Sequence, residues 1–121
     1  MKNPNVIDIT DTNFDEQLRA PLPLLIDFTA AWCAPCRVIK PHVEAIADAY
    51  AGRLRVGICD VDSNNVLAAR LDVRSMPTLL LWSGGKVLGQ IIGAVPRAKI
   101  EALVARALPA ADAGAATTAN A

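Results

Sequence analysis

One short apolar run constrains the fold more than any other segment of this 121-residue chain. Residues 24–28 read Leu-Leu-Ile-Asp-Phe, and prolines at positions 21 and 23 separate them from the preceding segment. A strand with one face in water alternates apolar and polar residues, whereas a nearly continuous apolar run is typical of a strand covered on both faces. The sequence therefore predicts a central strand at residues 24–28, with helices packed on both sides of its sheet.

Apolar spacing in the rest of the chain alternates between the period of a strand and that of a helix. Strand-like runs occupy residues 6–9, 54–58, 78–82 and 87–92, and helix-like patterns pass through residues 14–18, 39–50, 66–71 and 100–107. The long helix is the clearest, because Ile39, Val43, Ile46 and Tyr50 form one apolar stripe. The predicted order of elements is therefore βαβαβαββα.

The last two predicted strands form a hairpin, because Ser-Gly-Gly-Lys at residues 83–86 separates them. Strand–helix–strand units require crossover connections, so the earlier strands should pair in parallel. The sequence thus predicts an α/β fold in which a central five-stranded mixed sheet is flanked by four helices. Ligands on such sheets bind beyond the carboxyl ends of the strands. Cys33 and Cys36 lie just past the end of the central strand.

The composition disfavours several classes of function. The chain has 12 lysine and arginine residues against 12 aspartate and glutamate residues, so it lacks the basic excess of a nucleic-acid or membrane-surface binder. Aromatic residues make up only 4%, which also disfavours base stacking. No run approaches the roughly 18 apolar residues of a transmembrane helix. We expect no nucleic-acid partner and no membrane association.

The cysteine count and the first residues indicate the cellular setting. Three cysteines do not make the disulfide framework of a small secreted domain. The first apolar pair, Val6-Ile7, is too short for the core of a signal peptide. We expect a cytoplasmic protein with one domain at residues 1–108. The alanine-rich residues 109–121 are predicted to form a flexible tail, with a partner-binding role as the alternative.

Cys33 and Cys36 carry the clearest chemical signal. They are three positions apart at the start of the predicted long helix, a spacing at which a disulfide closes with little movement. Unpaired backbone N–H groups and the helix dipole favour a thiolate at that end. Cys33 is therefore predicted to be the exposed nucleophile, and Cys36 the thiol that releases the product. A structural cross-link is the alternative, but closing so small a loop contributes only about 2 kcal/mol.

A zinc site is another use of such a cysteine pair. Zn²⁺ usually takes four ligands, whereas this chain adds only Cys59 and His42 to the pair. On a straight helix His42 lies about 180° around from Cys33, so the two side chains diverge. We therefore expect no metal. Cys59 is expected to be a buried, space-filling residue, with a regulatory or dimer-forming thiol as the alternative.

Three segments together resemble the thioredoxin family. They are Trp-Cys-Ala-Pro-Cys at 32–36, Ile-Asp-Phe at 26–28 and Met-Pro-Thr at 76–78, and the resemblance extends over residues 6–108. It implies the thioredoxin fold and reduction of disulfides in other proteins through a dithiol/disulfide cycle. It also implies an NADPH-dependent thioredoxin reductase as electron donor. We expect no bound cofactor and a monomer, although the sequence does not determine the oligomeric state. The alternatives are an oxidase or isomerase of the same fold, and a non-catalytic binding module.

The resemblance also assigns a substrate-binding surface. The oxidised substrate protein is expected to bind to an apolar platform around the cysteines. A segment of the substrate is expected to pair as an extra strand beside a cis-proline loop. The residues of this surface are Trp32, Ala34, Pro35, Met76, Pro77, Gly93 and Ala94. From the residues alone, Pro77 could equally be a trans proline that opens a strand. The resemblance favours the cis form.

Asp27 is an acidic residue within the apolar central strand. The resemblance implies a buried carboxylate that exchanges protons with Cys36, and burial should raise its pKa. An aspartate that points outward at a strand end is the alternative. Ile58 stands where the family often has a lysine near this aspartate. Without that cation, burial is expected to dominate the pKa of Asp27. Ala34 stands where the family usually has glycine, which leaves the reduction potential open, and Thr29 replaces a common tryptophan, which thins the packing beneath the site.

Overall fold

The order of strands and helices along the chain is the predicted one. A computed structural model describes residues 3–108, so the predicted tail at residues 109–121 lies outside the described residues. The elements are β1 (Val6–Asp8), α1 (Phe14–Leu18), β2 (Leu24–Thr29), α2 (Ala34–Ala49), β3 (Arg55–Asp60), α3 (Asn65–Arg70), β4 (Thr78–Ser83), β5 (Lys86–Ile92) and α4 (Arg97–Ala105). None of the helices within residues 3–108 is long and apolar enough to cross a membrane.

The strand with the apolar run lies at the centre of the sheet, as predicted. The five strands follow the order β1-β3-β2-β4-β5. Strand β2 pairs in parallel with β3 and antiparallel with β4, and β4 and β5 form the antiparallel hairpin. All of β2 except Thr29 is buried, which is why its sequence lacks the alternation of a half-exposed strand.

Two apolar cores lie on opposite faces of this sheet. On one face Ile26 and Phe28 pack with Phe14 of α1, and on the other Leu25 packs with Ile39 of α2. Burial of each of these large side chains contributes about 1.5–3 kcal/mol relative to exposure. Because side chains alternate along a strand, Asp27 shares the face of Leu25 and lies beneath α2.

The central strand ends one residue later than predicted, and this end leads into the site. Thr29 extends β2 because it pairs with Asp60 of β3. The chain then turns tightly, and the backbone N–H of Cys33 donates to the carbonyl oxygen of Ala30 at 3.1 Å. Helix α2 therefore begins directly beyond the carboxyl end of the central strand.

Candidate active site

Cys33 and Cys36 form a disulfide at the first turn of α2. Their Cα atoms are 5.3 Å apart. Cys33 is the N-cap residue, and its Sγ accepts a hydrogen bond from the backbone N–H of Cys36 at 3.2 Å. That N–H is one of the donors a helix start leaves without an internal partner. Together with the helix dipole, it favours negative charge on the Cys33 sulfur after the disulfide is reduced.

The prediction that Cys33 is exposed is wrong for this disulfide form. Cys33 and Cys36 are each only 3% exposed and belong to the core cluster on the α1 and α3 face. Two contacts account for the burial of Cys33: its sulfur is bonded to Cys36, and it lies 3.5 Å from the carbonyl oxygen of Met76. The second contact comes from a loop 43 residues further along the chain, so local sequence did not reveal it.

The loop that faces the disulfide has the predicted cis peptide bond, between Met76 and Pro77. The backbone N–H of Gly93 donates to the carbonyl oxygen of Pro77 at 2.9 Å and so ties the turn after β5 to this loop. Gly93 has φ +101°, a conformation that side-chain-bearing residues rarely adopt. The structure thus brings Met76, Pro77 and Gly93 together around the cysteine pair.

Exposed apolar side chains flank this loop and the start of α2. Trp32 is 66% exposed and Ile92 is 58% exposed, and both are large enough to contribute to protein binding. Ala34, Pro35 and Ala94 are also exposed. The family resemblance assigned all of these residues, including Ile92 in the turn at residues 92–94, to the substrate-binding surface.

An interaction that sequence reasoning missed holds the Trp32 side chain. Its Nε1–H donates to Oδ2 of Asp62 at 2.9 Å. Asp62 follows strand β3, which runs parallel to β2, so both strands deliver their following residues to the same edge of the sheet. That topology was the available signal, because it brings the residues that follow β2 and β3 to neighbouring positions.

Asp27 is buried, which excludes the outward-pointing alternative. The residue is 1% exposed, and its Oδ1 has no hydrogen-bond partner among the described residues. Burial raises the pKa of Asp27 to about 7, and the nearby charge of Lys40 opposes that rise. Burial is the larger effect, as predicted. The influence of Lys40 on Asp27 was not predicted from the sequence. Its spacing was a signal, because Lys40 follows Cys36 by one helical turn and so lies on the same face of α2.

Two open pockets lie between α2 and the sheet near these groups. The first, of about 280 Å³, has Asp27 in its lining, together with Asp8, Lys40, Glu44 and Ile58. The second, of about 270 Å³, is lined in part by Cys36, Lys40 and Ile58. Lys40 and Ile58 are therefore common to the pocket of the aspartate and the pocket of the deeper cysteine.

No group of three or more histidine, cysteine, aspartate or glutamate residues within residues 3–108 is placed to hold a metal ion. The third cysteine, Cys59, is fully buried in the core. Burial, with the charges of Asp11 and Asp60, raises the pKa of Cys59 to about 12. A thiol that is both buried and protonated reacts slowly with electrophiles.

We therefore expect two reactive thiols, those of the redox pair, and one protected thiol, Cys59, in the reduced native protein. Counting the chromophores released from a chromogenic disulfide reagent, with and without denaturant, measures this directly, because the redox pair releases two chromophores as it closes to a disulfide. The third thiol should appear only after unfolding. A third fast thiol in the native protein, mapped to Cys59, would contradict the buried assignment.

This combination of fold and site defines a class of protein. Because the helix start favours a thiolate at Cys33 and holds Cys36 within bonding distance of it, the pair can exchange disulfides with other thiols, which is the chemistry of a dithiol–disulfide oxidoreductase. The pair closes and opens a disulfide beside an apolar surface that is exposed to other proteins.

Comparison with known proteins places the chain within this class. The thioredoxin family model matches residues 5–106. A thioredoxin of Alicyclobacillus acidocaldarius is 39% identical over 100 residues, which cover 83% of this chain and 95% of that protein. Thioredoxin C-2 of Corynebacterium nephridii is also 39% identical over 100 residues, covering 82% and 93% of the two chains. The chain belongs to the thioredoxin family and acts as a thiol–disulfide oxidoreductase that reduces disulfides in other proteins.

Proposed function

We propose that Cys33 attacks the substrate disulfide, that Cys36 resolves the mixed disulfide with help from Asp27, and that an NADPH-dependent thioredoxin reductase restores the dithiol. The observation that carries this proposal is the position of Cys33 as the N-cap of α2, with the Cys36 N–H directed at its sulfur. The proposed setting is the cytoplasm, where NADPH is available, and the proposed working form is a monomer.

The first step forms one sulfur–sulfur bond and breaks another. The Cys33 thiolate attacks one sulfur of the substrate disulfide, and the other substrate sulfur leaves as a thiolate with the bonding electron pair. The carbonyl oxygen of Met76 lies beside the reacting sulfur and is available as an acceptor for an extended substrate segment. The substrate is then held both covalently and by backbone hydrogen bonds.

The second step needs a proton acceptor for Cys36. The Cys36 thiol gives its proton to the Asp27 carboxylate, directly or through water in the adjoining pockets. The resulting thiolate attacks the Cys33 sulfur, the second substrate sulfur leaves, and the protein ends as the disulfide. The pKa of Asp27, raised to about 7, suits an acceptor that must take and release a proton near neutral pH. Two electrons have passed to the substrate, and the reductase replaces them.

The exposed platform accounts for binding of large substrates. Placing a charge on it with Ala94→Asp should raise KM for insulin, because the apolar partner surface would have to desolvate the new carboxylate. We expect about a tenfold loss of kcat/KM, corresponding to about 1.4 kcal/mol. Val87→Asp is the matched control, since Val87 is 53% exposed near the hairpin at the other end of β4.

Reaction with a small soluble disulfide separates binding from chemistry. It should proceed at the same rate in both variants, because a small disulfide needs little of the platform. If both variants lost insulin reduction to the same extent, the platform would not be the surface that binds the substrate protein.

A coupled assay tests the proposed electron donor. Insulin, NADPH and a bacterial thioredoxin reductase are mixed with the chain, and NADPH oxidation is followed. We expect oxidation that depends on the chain and that disappears when Cys33→Ser replaces it. Insulin reduction with dithiothreitol but no NADPH oxidation would show that the reductase is not the partner. A strongly oxidising reduction potential would instead favour an oxidase.

A further inference from the structure

Lys40 lies where the pocket of the buried aspartate meets the pocket of the resolving cysteine. Its side chain lines both, and the only other residue common to them is the apolar Ile58. Helix geometry explains the placement, since Lys40 follows Cys36 by four residues and lies above the strand that carries Asp27.

The other charged groups around Asp27 do not offer a second cation. Asp8 of β1 and Glu44 of α2 line the same pocket, and both carry negative charge. Of the described residues that line this pocket, Lys40 alone is positively charged. Burial disfavours ionisation of Asp27, and the charge of Lys40 is what opposes it.

The charged groups in the pocket of Cys36 are engaged elsewhere. Arg37 donates a hydrogen bond to the carbonyl oxygen of Ala31 at 2.9 Å, and Asp60 accepts one from the backbone N–H of Asp62 at 2.9 Å. Within residues 3–108, Lys40 itself makes no ion pair or hydrogen bond. Its ammonium group is therefore free to act across the pockets by electrostatics.

We propose that Lys40 is a positioning residue for the resolving step: its ammonium group keeps Asp27 ionised, and so able to accept a proton, when Cys36 must lose one. The inference rests on the proposed function of Asp27. In the step that it assists, the Cys36 proton passes to the Asp27 carboxylate, the Cys33–Cys36 bond forms, and the bond from Cys33 to the substrate breaks. The substrate sulfur leaves with the electron pair, and Asp27 later returns the proton to water in its open pocket.

The expected size of the effect follows from the exposure of Lys40. Lys40 is exposed and forms no ion pair with Asp27, so the interaction is weaker than that of a buried ion pair. We expect Lys40→Met to move the titration midpoint of Asp27 upward by roughly half a pH unit to one pH unit. Lys40→Arg should keep the wild-type midpoint, because it retains the charge.

The direct test is a titration of the Asp27 carboxyl group by carbon-detected NMR in the oxidised protein. Neither turnover nor substrate is needed, so the result does not depend on the proposed reaction. Lys86→Met is the control, since Lys86 is an exposed lysine at the hairpin and lines neither pocket. An upward shift in Lys40→Met only, with recovery in Lys40→Arg, supports the inference. Equal midpoints in Lys40→Met and wild type would overturn it.

A second readout asks whether the effect on catalysis passes through Asp27. Lys40→Met should move the pH profile of insulin reduction toward higher pH, and should cause no further shift in an Asp27→Asn background. A shift that persists in that background would show that Lys40 acts by another route, and would overturn the inference. Turnover by the wild-type chain tests the proposed function separately: its absence would overturn the reaction, while the NMR titration would still decide the role of Lys40.

Discussion

A Cys36→Ser variant is expected to lose catalytic turnover and to accumulate as a mixed disulfide through Cys33. The first attack needs only the Cys33 thiolate, whereas release of the substrate needs a second thiol within bonding distance. Serine cannot displace the bound sulfur, so insulin reduction should fall to the rate of dithiothreitol alone. Mass spectrometry of the protein after one exposure to substrate should show the covalent adduct at Cys33.

Two further cysteine variants show whether the loss of turnover is specific to Cys36. Cys33→Ser should be equally inactive but should accumulate no adduct, because the attacking sulfur is gone. Cys59→Ala also removes a cysteine and should keep near wild-type turnover, because Cys59 lies buried in the core and forms no disulfide. If Cys36→Ser kept wild-type turnover, the fold would be serving as a binding scaffold and the dithiol cycle would be wrong.

The second large effect is expected for Asp27→Asn, which should stabilise the folded protein and slow its reduction of disulfides. The wild-type carboxylate is buried, and the free energy of burying its charge is not recovered by a hydrogen bond at Oδ1. We expect the free energy of unfolding to rise by about 2–4 kcal/mol at about pH 8. Insulin reduction at neutral pH should fall on the order of 10- to 100-fold, because Cys36 would lose the proton acceptor that we propose for it.

The pH dependence of stability follows from the direction of the shift. The pKa of Asp27 is about 7 in the folded protein against 3.8 for the unperturbed group. Below about pH 4 both states are protonated, and burial of the neutral acid is tolerated. Between about pH 4 and pH 7 the unfolded state ionises first, so the wild type loses stability as pH rises. The full cost, about 4 kcal/mol by linkage, is reached above the folded pKa.

Chemical denaturation of wild type and Asp27→Asn across this range is the measurement. The difference between them should be small near pH 4 and should grow up to about pH 8. Asp48→Asn is the control, because Asp48 is exposed and hydrogen bonds from Asn5 and Asn3 lower its pKa. A stability difference at Asp27 that does not change with pH would mean that its carboxyl group does not titrate near neutrality.

The fold was predictable because its strands and helices differ in the spacing of their apolar residues along the sequence. The continuous apolar run of β2 marked the central strand, and Gly84 and Gly85 marked the hairpin before β5. Both signals are local, since each depends on fewer than about ten consecutive residues. Ends of elements were less predictable, as Thr29 shows, because they depend on a hydrogen-bonding partner in another strand.

The site was predictable where its chemistry is local. The cysteine spacing and the position before α2 indicated the redox pair, and resemblance to a known family supplied the cis-proline loop and Asp27. Burial of Cys33 was not predictable, because Met76 covers it from a distant loop. Lys40 was missed for a similar reason: its importance depends on two pockets that exist only once α2 packs over the sheet.

Alkylation of single-thiol variants gives the most direct test of the account. One variant keeps only Cys33 (Cys36→Ser with Cys59→Ala), and the other keeps only Cys36 (Cys33→Ser with Cys59→Ala). The capped sulfur at the start of α2 should react with iodoacetamide at about pH 7 at least about tenfold faster than the deeper one, because more of it is thiolate. Equal rates, or a faster Cys36, would contradict the claim that the helix start activates Cys33.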